Sequence, residues 1–532
     1  MCSFALTTCA CTVVHSSALN YLLYAEGASW SPSLVCLPGT RVDLLEDIWN
    51  WIQAADHTKS AEVFLLSDVA GTGKSTIAHT IGQRCQDAGL LGSSFFFDRD
   101  IPDRSKPRKL FSSIAHDICR LSKNLAEHIT TAIEGDRSIV SASISRQFDE
   151  LILGPSHLHR FDKPVVIVID ALDEGYDLEL LKIIRDKVPM LPGSFRIFIT
   201  SRPEDEIITD LLDAAHIHWR SIDIHGSTNQ ADIAVYAEDR LRYVASRKRL
   251  GPDWPGPELA NEFRAKAEGL FIWVYVVSEY LSSRKTYDPT SKLLSFLHNR
   301  SLLGHPAEVK MDELYAEILS NCDWSDQEFV EMYNVAVGSI MVLRTPITAS
   351  ALQSLHRANP SLQICEVLRP LNSLFTGLMG GNQLIRVLHM SLRDFLTCRA
   401  QTTPSFTRFY VDEKDHSQRM ALLCLRVLND DLDADIPGTG YLTRPRRDHE
   451  GLPHILESDV SGALWYSCRF WPEHVVEVES PVSDMFLDAL RKFLSTRLIR
   501  SVEVLSSRGQ FQGLGKVRNW LEVSVMIWKR SP

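Results

Sequence analysis

The chain has no excess of basic residues and no long apolar run. Its 56 Lys and Arg residues are outnumbered by 67 Asp and Glu residues, which gives a formal net charge of −11. A chain with this balance lacks the positive long-range field of proteins that coat nucleic acid or anionic membranes. No window offers about 18 consecutive apolar residues, the length that a membrane-spanning helix needs. The sequence therefore predicts a protein with no membrane span and no nucleic-acid partner.

Paired cysteines and internal repeats are also lacking. The 11 cysteines include no CxxC pair, and a chain of 532 residues is long enough to fold without disulfides. We expect buried free thiols and a reducing, cytoplasmic location. No segment recurs at a period of about 20 to 50 residues, so the chain itself carries no repeat array.

The N-terminal segment carries little charge of either sign. Its first 25 residues contain no Lys, Arg, Asp or Glu, and polar residues such as Thr7, Thr8 and Ser16 interrupt the apolar ones. A signal peptide needs a basic start and a continuous apolar core. We therefore leave residues 1–35 as an unassigned segment without an anchor, with a signal or membrane anchor as the alternative.

Strand and helix patterns alternate from about residue 60 to 225. Glu62–Ser67 and Phe195–Thr200 are predicted strands, and Val165–Ile169 is an unbroken apolar run typical of a strand buried on both faces. This alternation predicts a doubly wound α/β domain with a parallel sheet. After residue 226 the strands largely stop and amphipathic helices dominate.

A glycine-rich turn follows the first strand and opens a helix. It has the chemistry of a phosphate loop, in which backbone N–H groups surround phosphate oxygens, a lysine reaches the β and γ phosphates and a hydroxyl binds Mg²⁺. One position departs from the pattern, since Asp68 stands where glycine is usual, and its carboxylate could weaken phosphate binding unless it caps a backbone N–H. The predicted phosphate-binding residues are Ala70, Gly71, Thr72, Gly73, Lys74, Ser75 and Thr76.

Three acidic residues follow the buried strand. Asp170 lies where a phosphate-loop fold holds the Mg²⁺ shell, so we predict Ser75 and Asp170 as metal-binding residues. Asp173 or Glu174 could orient the attacking water, and we favour Glu174; alternatively, these acids only cap the next helix. Arg202 ends a further strand, where it would face the same crevice and contact the γ-phosphate.

These motifs identify the chain as similar to NACHT proteins, which belong to the STAND class of P-loop ATPases. It resembles basidiomycete members whose NACHT region is like the N-terminal part of nephrocystin-3. The phrases that carry the resemblance span residues 36 to 396, and they are CLPGTR, AGTGKST, SSFFFDRD, VVIVIDALDE, FITSRPE, AEGLFIWV, MDELYAEIL and VLHMSLRDFL.

The resemblance implies further roles and a domain order. Arg41 would approach the nucleotide from the N-terminal side, Gly269–Phe271 would pack near the base, and His389 would contact the β-phosphate of ADP in a closed state. The implied domains are a NACHT α/β domain at 36–225, a helical domain at 226–300, a winged-helix-like domain at 301–400 and a helical C-terminal region at 401–532. The effector domain and repeats usual in the family are not evident.

The function that this resemblance implies is an ATP/ADP-dependent signalling switch with Mg²⁺, in fungal non-self recognition or programmed cell death. ADP would hold the closed state, ATP would favour self-association, and slow hydrolysis would reset it; the trigger and effector are not indicated. Two alternatives stay open. The chain could be a degenerate paralogue that acts as an interaction scaffold, or a P-loop enzyme with a second substrate.

Overall fold

The computed structural model describes residues 18–54, 60–283, 286–298, 306–378, 383–432, 436–443, 453, 455–479, 482–511 and 513–528. The chain divides into two compact units. The first unit comprises Met1–Ser278 and Thr290–Ser301, and the second comprises Glu279–Pro289 and Leu302–Pro532.

The first unit is built on a parallel sheet of five strands. The strands are β1 (Glu62–Ser67), β2 (Leu91–Phe96), β3 (Val165–Asp170), β4 (Phe195–Ser201) and β5 (Ile217–Arg220), and their order in the sheet is β2-β3-β4-β1-β5. The predicted doubly wound α/β class is confirmed in this unit. The strand β5 was not predicted, because it is short and its side chains alternate between buried and exposed, as suits the edge of a sheet.

Helices cover both faces of this sheet. Val166 and Val168 of β3 pack with residues of two helices on one face, and Ile167 and Ile169 pack with the remaining helices on the other. Alternate residues of a strand point to opposite faces, so a strand covered on both sides must be apolar throughout. This explains the unbroken apolar run in the sequence.

For the first part of the chain the sequence predicts, among other helices, continuous ones over Leu110–Glu134 and Pro257–Ser282, and the structure interrupts both. The stretch 110–134 is interrupted at Ser122, and the stretch 257–282 at Glu268 and Gly269, which both have positive φ. The helices are α1 (Val42–Gln53), α2 (Lys74–Asp87), α3 (Leu110–Ile118), α4 (Lys123–Gly135), α5 (Ile144–Gln147), α6 (Gly154–His157), α7 (Leu178–Lys182), α8 (Asp205–Leu211), α9 (Ser227–Lys248), α10 (Pro257–Ala267), α11 (Phe271–Ser282) and α12 (Pro289–His298).

Residues 18–35, which the sequence left unassigned, pack on the sheet unit. The N–H of Phe96 in the edge strand β2 donates to the carbonyl of Ala28 at 2.9 Å, and the N–H of Ala25 donates to the hydroxyl of Ser113 at 3.0 Å. Ala25 and Ala28 are buried. This segment therefore satisfies part of an edge strand that would otherwise present unpaired backbone groups. Residues 1–17 lie outside the described residues.

The second unit is mainly helical, as predicted for the C-terminal part. Besides helices it contains a short antiparallel pair, β6 (Phe375–Thr376) with β7 (Arg386–Val387), where the sequence predicts a hairpin. The assignment of residues 301–400 as a winged helix stays a prediction. The helices are α13 (Ala307–Ser320), α14 (Gln327–Val342), α15 (Ala349–Leu355), α16 (Ile364–Leu368), α17 (Met390–Asp394), α18 (Ala400–Thr402), α19 (Glu413–Asp431), α20 (Gly462–Val475), α21 (Asp484–Thr496), α22 (Leu498–Ser506) and α23 (Gly515–Trp528).

The described cysteines are free thiols, as the sequence predicts. Cys85, Cys424 and Cys468 are buried as expected, whereas the expected burial is wrong for Cys365 and Cys398, which are exposed. Within the described residues, no helix combines the length and the apolar character that crossing a membrane requires.

Candidate functional site

The glycine-rich turn connects β1 to α2 at the carboxyl edge of the sheet. Gly71 and Gly73 have φ of +86° and +88°, a conformation that residues with a side chain rarely adopt. A Cβ on Gly71 would lie 2.2 Å from the Cγ2 atom of Ile272, so this position also lacks space. Gly73 precedes the first residue of α2, and no side chain caps that helix end. The helix therefore presents its N-terminal N–H groups and its positive dipole end to the turn.

The carbonyl groups of the turn are held by donors on its outer side. The N–H of Ile272, at the start of α11, donates to the carbonyl of Gly71 at 3.3 Å. The Arg41 guanidinium donates to the carbonyl of Thr72 at 2.7 Å. A peptide group is planar and its C=O and N–H point in opposite directions. The next N–H groups, those of Thr72 and Gly73, therefore point to the inner side.

The inner N–H groups of the turn have no acceptor among the described residues. This is true of Thr72 and Gly73, and also of the N–H of Gly71, whereas the N–H groups of Val69 and Ile222 donate to the Asp68 carboxylate. Backbone N–H groups that converge in this way form a concave site for an anion. Their role as phosphate-binding groups stays a prediction.

Lys74 lies at the start of α2 and folds back over the turn. Its ammonium group donates to the carbonyls of Asp68 at 2.6 Å and Val69 at 2.9 Å. Burial lowers the pKa of Lys74 to about 8, while the charges of Asp173, Asp68 and Asp170 act in the opposite direction. A lysine in this position has two carbonyl partners that a phosphate group could replace.

Asp68, which departs from the phosphate-loop pattern, stabilises the turn through hydrogen bonds to backbone N–H groups. Its carboxylate accepts the N–H of Val69 at 2.6 Å and the N–H of Ile222 at 2.7 Å. Ile222 follows β5, so the contact ties the turn to the next strand of the sheet. Burial raises the pKa of Asp68, and the two N–H groups act against that shift. The side chain therefore caps backbone groups, which is the arrangement in which it does not oppose phosphate binding.

Asp170 ends β3 and is buried beside the start of α2. It accepts a hydrogen bond from the Thr200 hydroxyl at 2.5 Å, and the Ser75 hydroxyl is near enough to act toward a lower pKa of this carboxyl. The Thr200 oxygen also accepts the N–H of Ala171, whose φ is +54°. Burial raises the pKa of Asp170 to about 6. The structure thus places Ser75 and Asp170, the two predicted metal-binding residues, near each other at this edge of the sheet.

The structure distinguishes between Asp173 and Glu174. Asp173 accepts the backbone N–H of Arg202 at 2.9 Å and pairs with the Nε of the same residue at 3.3 Å. Glu174 accepts only a long bond of 3.4 Å from the N–H of Arg99. Burial raises the pKa of Glu174 to about 8, and the charge of Asp173 acts in the same direction. Asp173 thus binds and orients Arg202, while Glu174 has a raised pKa and one long hydrogen bond among the described residues.

Arg41 is buried between the turn and the helices that follow the sheet. Its side chain is 3.7 Å from the Asp232 carboxylate in α9, and its guanidinium lies 4.7 Å from the centre of the Phe271 ring in α11. Burial lowers the pKa of Arg41, and Asp232 acts against that shift. Gly269 precedes this ring, and its carbonyl accepts the Asn229 side chain at 3.1 Å. Arg41, the residue before α1, therefore contacts both the glycine-rich turn and the Gly269–Phe271 segment.

The remaining predicted residues lie at three positions. Ala70 is in the glycine-rich turn, and Thr76 is in the first turn of α2. His389 belongs to the second unit, where it caps the start of α17 by accepting the N–H of Ser391 at 3.2 Å. Its predicted contact with a nucleotide stays a prediction.

Sequence reasoning missed Thr200, Asp232, Ile222 and Ile272. Thr200 had a usable signal, because a hydroxyl at the end of a strand next to a strand that ends in aspartate lies at the same edge of the sheet. The other three had none, because each is an ordinary residue whose partner is distant in sequence. Among the described residues, no three His, Cys, Asp or Glu side chains form a metal cluster.

Residues 39–202 match the family model described as Nephrocystin 3, N-terminal. The match begins just before Arg41, ends at Arg202 and contains the glycine-rich turn, Asp170 and Glu174. It covers less than a third of the chain. The predicted likeness to nephrocystin-3 is confirmed over this stretch, whereas the NACHT assignment and the fungal origin stay predictions.

Several solved structures are similar to the chain at a low level. Cdc6p from Pyrobaculum aerophilum is 14% identical, with 71% of this chain and 96% of that chain covered and a TM-score of 0.31. Drosophila ORC bound to DNA is 12% identical, with 69% and 91% covered and a TM-score of 0.29. PCH-2 of C. elegans is 13% identical, with 50% and 70% covered and a TM-score of 0.27. No curated protein matches the chain. Similarity at this level does not define a function.

Proposed function

We propose that the first unit binds a nucleoside di- or triphosphate, ATP or ADP, in the glycine-rich turn. The observation that carries the proposal is the set of inward N–H groups at Gly71, Thr72 and Gly73, with the Lys74 ammonium beside them. Phosphate oxygens are the acceptors that such a turn at a helix N-terminus fits. Asp68 supports the proposal, because its carboxylate is occupied by backbone N–H groups.

Each residue of the site has a role in this proposal. Lys74 would leave the carbonyls of Asp68 and Val69 to contact the β and γ phosphates. Ser75 and Asp170 would hold Mg²⁺, which when bound neutralises phosphate charge and favours attack at the γ-phosphorus. Ser75 and Asp170 bring a hydroxyl and a carboxylate near each other, and both are ligands that Mg²⁺ accepts.

Slow hydrolysis is the chemistry that the acidic residues support. Glu174 would accept a proton from the attacking water, since burial raises the pKa of its carboxyl to about 8 and its one hydrogen bond among the described residues is long. Arg202, oriented by Asp173, would contact the γ-phosphate. Arg41 would hold the glycine-rich turn from the N-terminal side, through the carbonyl of Thr72.

The finer proposal is a NACHT or STAND signalling switch in the cytoplasm, with a role in fungal non-self recognition or cell death. In this proposal residues 301–400 form a winged helix, His389 contacts the β-phosphate of ADP in the closed state, and ATP favours self-association. A ligand shifts such an equilibrium only through different affinities for the two states. An interaction scaffold without nucleotide and an enzyme with a second substrate are the two alternatives.

The nucleotide content of the purified protein tests the central proposal. We expect ADP or ATP to be released on denaturation of the full chain, and none from Lys74→Ala. Lys123→Ala, which removes an exposed lysine, is the matched control. Bound nucleotide that is unchanged in Lys74→Ala would contradict the site. An absence of nucleotide from the purified protein, with no binding in titrations, would favour the scaffold.

A second experiment tests the switch. His389→Ala is expected to release ADP faster and to raise the share of higher-mass assemblies in ATP, because a bond worth roughly 1.5–3 kcal/mol is lost. The ADP off-rate and the mass distribution are compared with wild type at matched concentration. An unchanged off-rate would remove His389 from the closing contact. Turnover of ATP that depends on an added small-molecule acceptor would instead favour the alternative of an enzyme with a second substrate.

A further inference from the structure

Two of the sequence motifs that carry the family resemblance meet inside the second unit. MDELYAEIL provides α13, and VLHMSLRDFL provides β7 and α17. Asp312 and Tyr315 are three residues apart in α13 and therefore lie on the same face of the helix. Tyr315 contacts a residue of VLHMSLRDFL, and Asp312 contacts a residue that follows this motif. The phenol of Tyr315 is 2.7 Å from the Ser391 hydroxyl, and Asp312 pairs with both nitrogens of the Arg399 fork, at 2.8 and 2.7 Å.

Ser391 is the centre of this arrangement, which we call the Ser391 relay (Tyr315, Ser391 and His389). The Ser391 hydroxyl lies 2.7 Å from the Nδ1 of His389, and the Ser391 N–H lies 3.2 Å from the same atom. The carbonyl of Ser391 accepts the Arg399 guanidinium at 3.0 Å. Ser391 and Tyr315 are buried, and His389 is partly exposed. The backbone and the side chain of Ser391 are thus both held from outside its own helix.

The direction of each hydrogen bond follows from the backbone donor. A backbone N–H can only donate, so the Nδ1 that faces it must offer its lone pair. The Ser391 hydroxyl, at the same nitrogen, then also donates to Nδ1. Its oxygen is left to accept, and the Tyr315 phenol is the donor. Burial raises the pKa of Tyr315, so the phenol keeps the proton that it donates.

We propose that Tyr315 and Ser391 are positioning residues that keep His389 neutral, with its ring proton on Nε2. The ring then carries an N–H donor on the side away from Ser391, as a contact to an anionic oxygen requires. Asp312 and Arg399 hold the relay in place through the carbonyl of Ser391. The inference about the ring proton stands by itself, and only its consequence for ADP rests on the proposed function.

The test is the ¹⁵N spectrum of the full chain labelled at histidine, with the His389 signals assigned by their loss in His389→Gln. A tautomer can be established in this way where coordinates alone only imply it. We expect an unprotonated Nδ1 and a protonated Nε2 in wild type at neutral pH. In Ser391→Ala and Tyr315→Phe we expect the signals to move toward a mixture of tautomers. Ser391→Thr, which keeps the hydroxyl, is expected to restore the wild-type pattern.

Tyr333→Phe is the matched control. Tyr333 is also a buried tyrosine of the second unit, but its hydroxyl has no hydrogen-bond partner, so its loss should leave the His389 signals unchanged. A protonated Nδ1 in wild type would overturn the proposal. So would His389 signals that are the same in Ser391→Ala, Tyr315→Phe and wild type while the variants stay folded by circular dichroism.

A second readout separates this inference from the proposed function. If His389 contacts ADP, Tyr315→Phe should raise the ADP off-rate by about threefold to tenfold, as weakening of one hydrogen bond implies. A tautomer shift without a change in off-rate supports the relay and contradicts the proposed contact with ADP. A change in off-rate without a tautomer shift overturns the relay.

Discussion

The carboxylate of Asp68 accepts the backbone N–H of Ile222 across 154 positions of the sequence, at 2.7 Å. The other oxygen of the same carboxylate accepts the N–H of Val69. The residue that breaks the phosphate-loop pattern therefore ties the glycine-rich turn to the segment after β5. An aspartate can do this and a glycine cannot, since glycine has no acceptor side chain.

From this contact we expect Asp68→Gly to destabilise the protein without tightening nucleotide binding. The variant would leave the partly buried N–H of Ile222 without an acceptor, at a cost of about 1–3 kcal/mol in the free energy of unfolding. Denaturant unfolding and nucleotide titration at low salt measure the two effects. Asp213→Gly, at an exposed turn position, is the control. A tighter site in Asp68→Gly would show that the carboxylate repels phosphate.

Nucleotide binding without Mg²⁺ should weaken as the pH rises above 8. Burial lowers the pKa of Lys74 to about 8, so the free protein loses this charge above pH 8, while bound phosphate favours the charged form. Binding then takes up one proton, and the Kd rises up to about tenfold per pH unit. Isothermal titration calorimetry between pH 7 and 10 measures the Kd and the number of protons taken up.

The control for this pH dependence must separate Lys74 from Glu174, because the pKa of Glu174 is also raised to about 8. We expect Glu174→Gln to keep the dependence and the double variant with Lys74→Arg to lose it, since an arginine stays charged. A dependence that disappears in Glu174→Gln alone would assign it to the carboxylate.

ATP hydrolysis should depend on Glu174 and not on Asp173 as the base. Glu174→Gln is expected to retain ATP and to slow its hydrolysis by about 10²- to 10⁴-fold. In wild type the rate should rise with pH up to about 8, as the carboxyl loses its proton, and level off above it. Single-turnover rates at several pH values test both points. Glu204→Gln, at an exposed glutamate, is the control. Wild-type rates in Glu174→Gln would return the assignment to Asp173 or another group.

Thr200→Val should affect both stability and the Mg²⁺ dependence of binding. The variant keeps the shape but removes the donor to Asp170 and the acceptor of the Ala171 N–H. We expect a loss of about 1–3 kcal/mol in the free energy of unfolding. We also expect a higher pKa for Asp170, so that Mg²⁺-assisted binding is lost at a less acidic pH than in wild type. Thr209→Val, at an exposed helix position, should do neither; equal behaviour of the two variants would contradict the role of Thr200.

The sequence by itself determined the elements whose signals are local. The apolar run of β3, the glycines of the turn and the amphipathic pattern of α1 act over a few residues, through backbone conformation and burial. The same is true of the order of β1, turn and α2, which predicts the phosphate loop. The short edge strand β5 was not predicted, because half of its residues face solvent and its apolar pattern is weak.

Only the tertiary structure decided which carboxylate is engaged and which is left basic. Asp173 and Glu174 are adjacent carboxylates, and packing gives them different surroundings: Arg202, 29 positions away, binds Asp173, while burial raises the pKa of Glu174. The role of the Asp68 carboxylate likewise depends on the N–H of Ile222, which is distant in sequence. The tautomer that we propose for His389 depends on Ser391 and Tyr315. A sequence pattern specifies which groups are present, but a hydrogen bond depends on distances and directions of a few ångströms, which exist only once distant segments have packed.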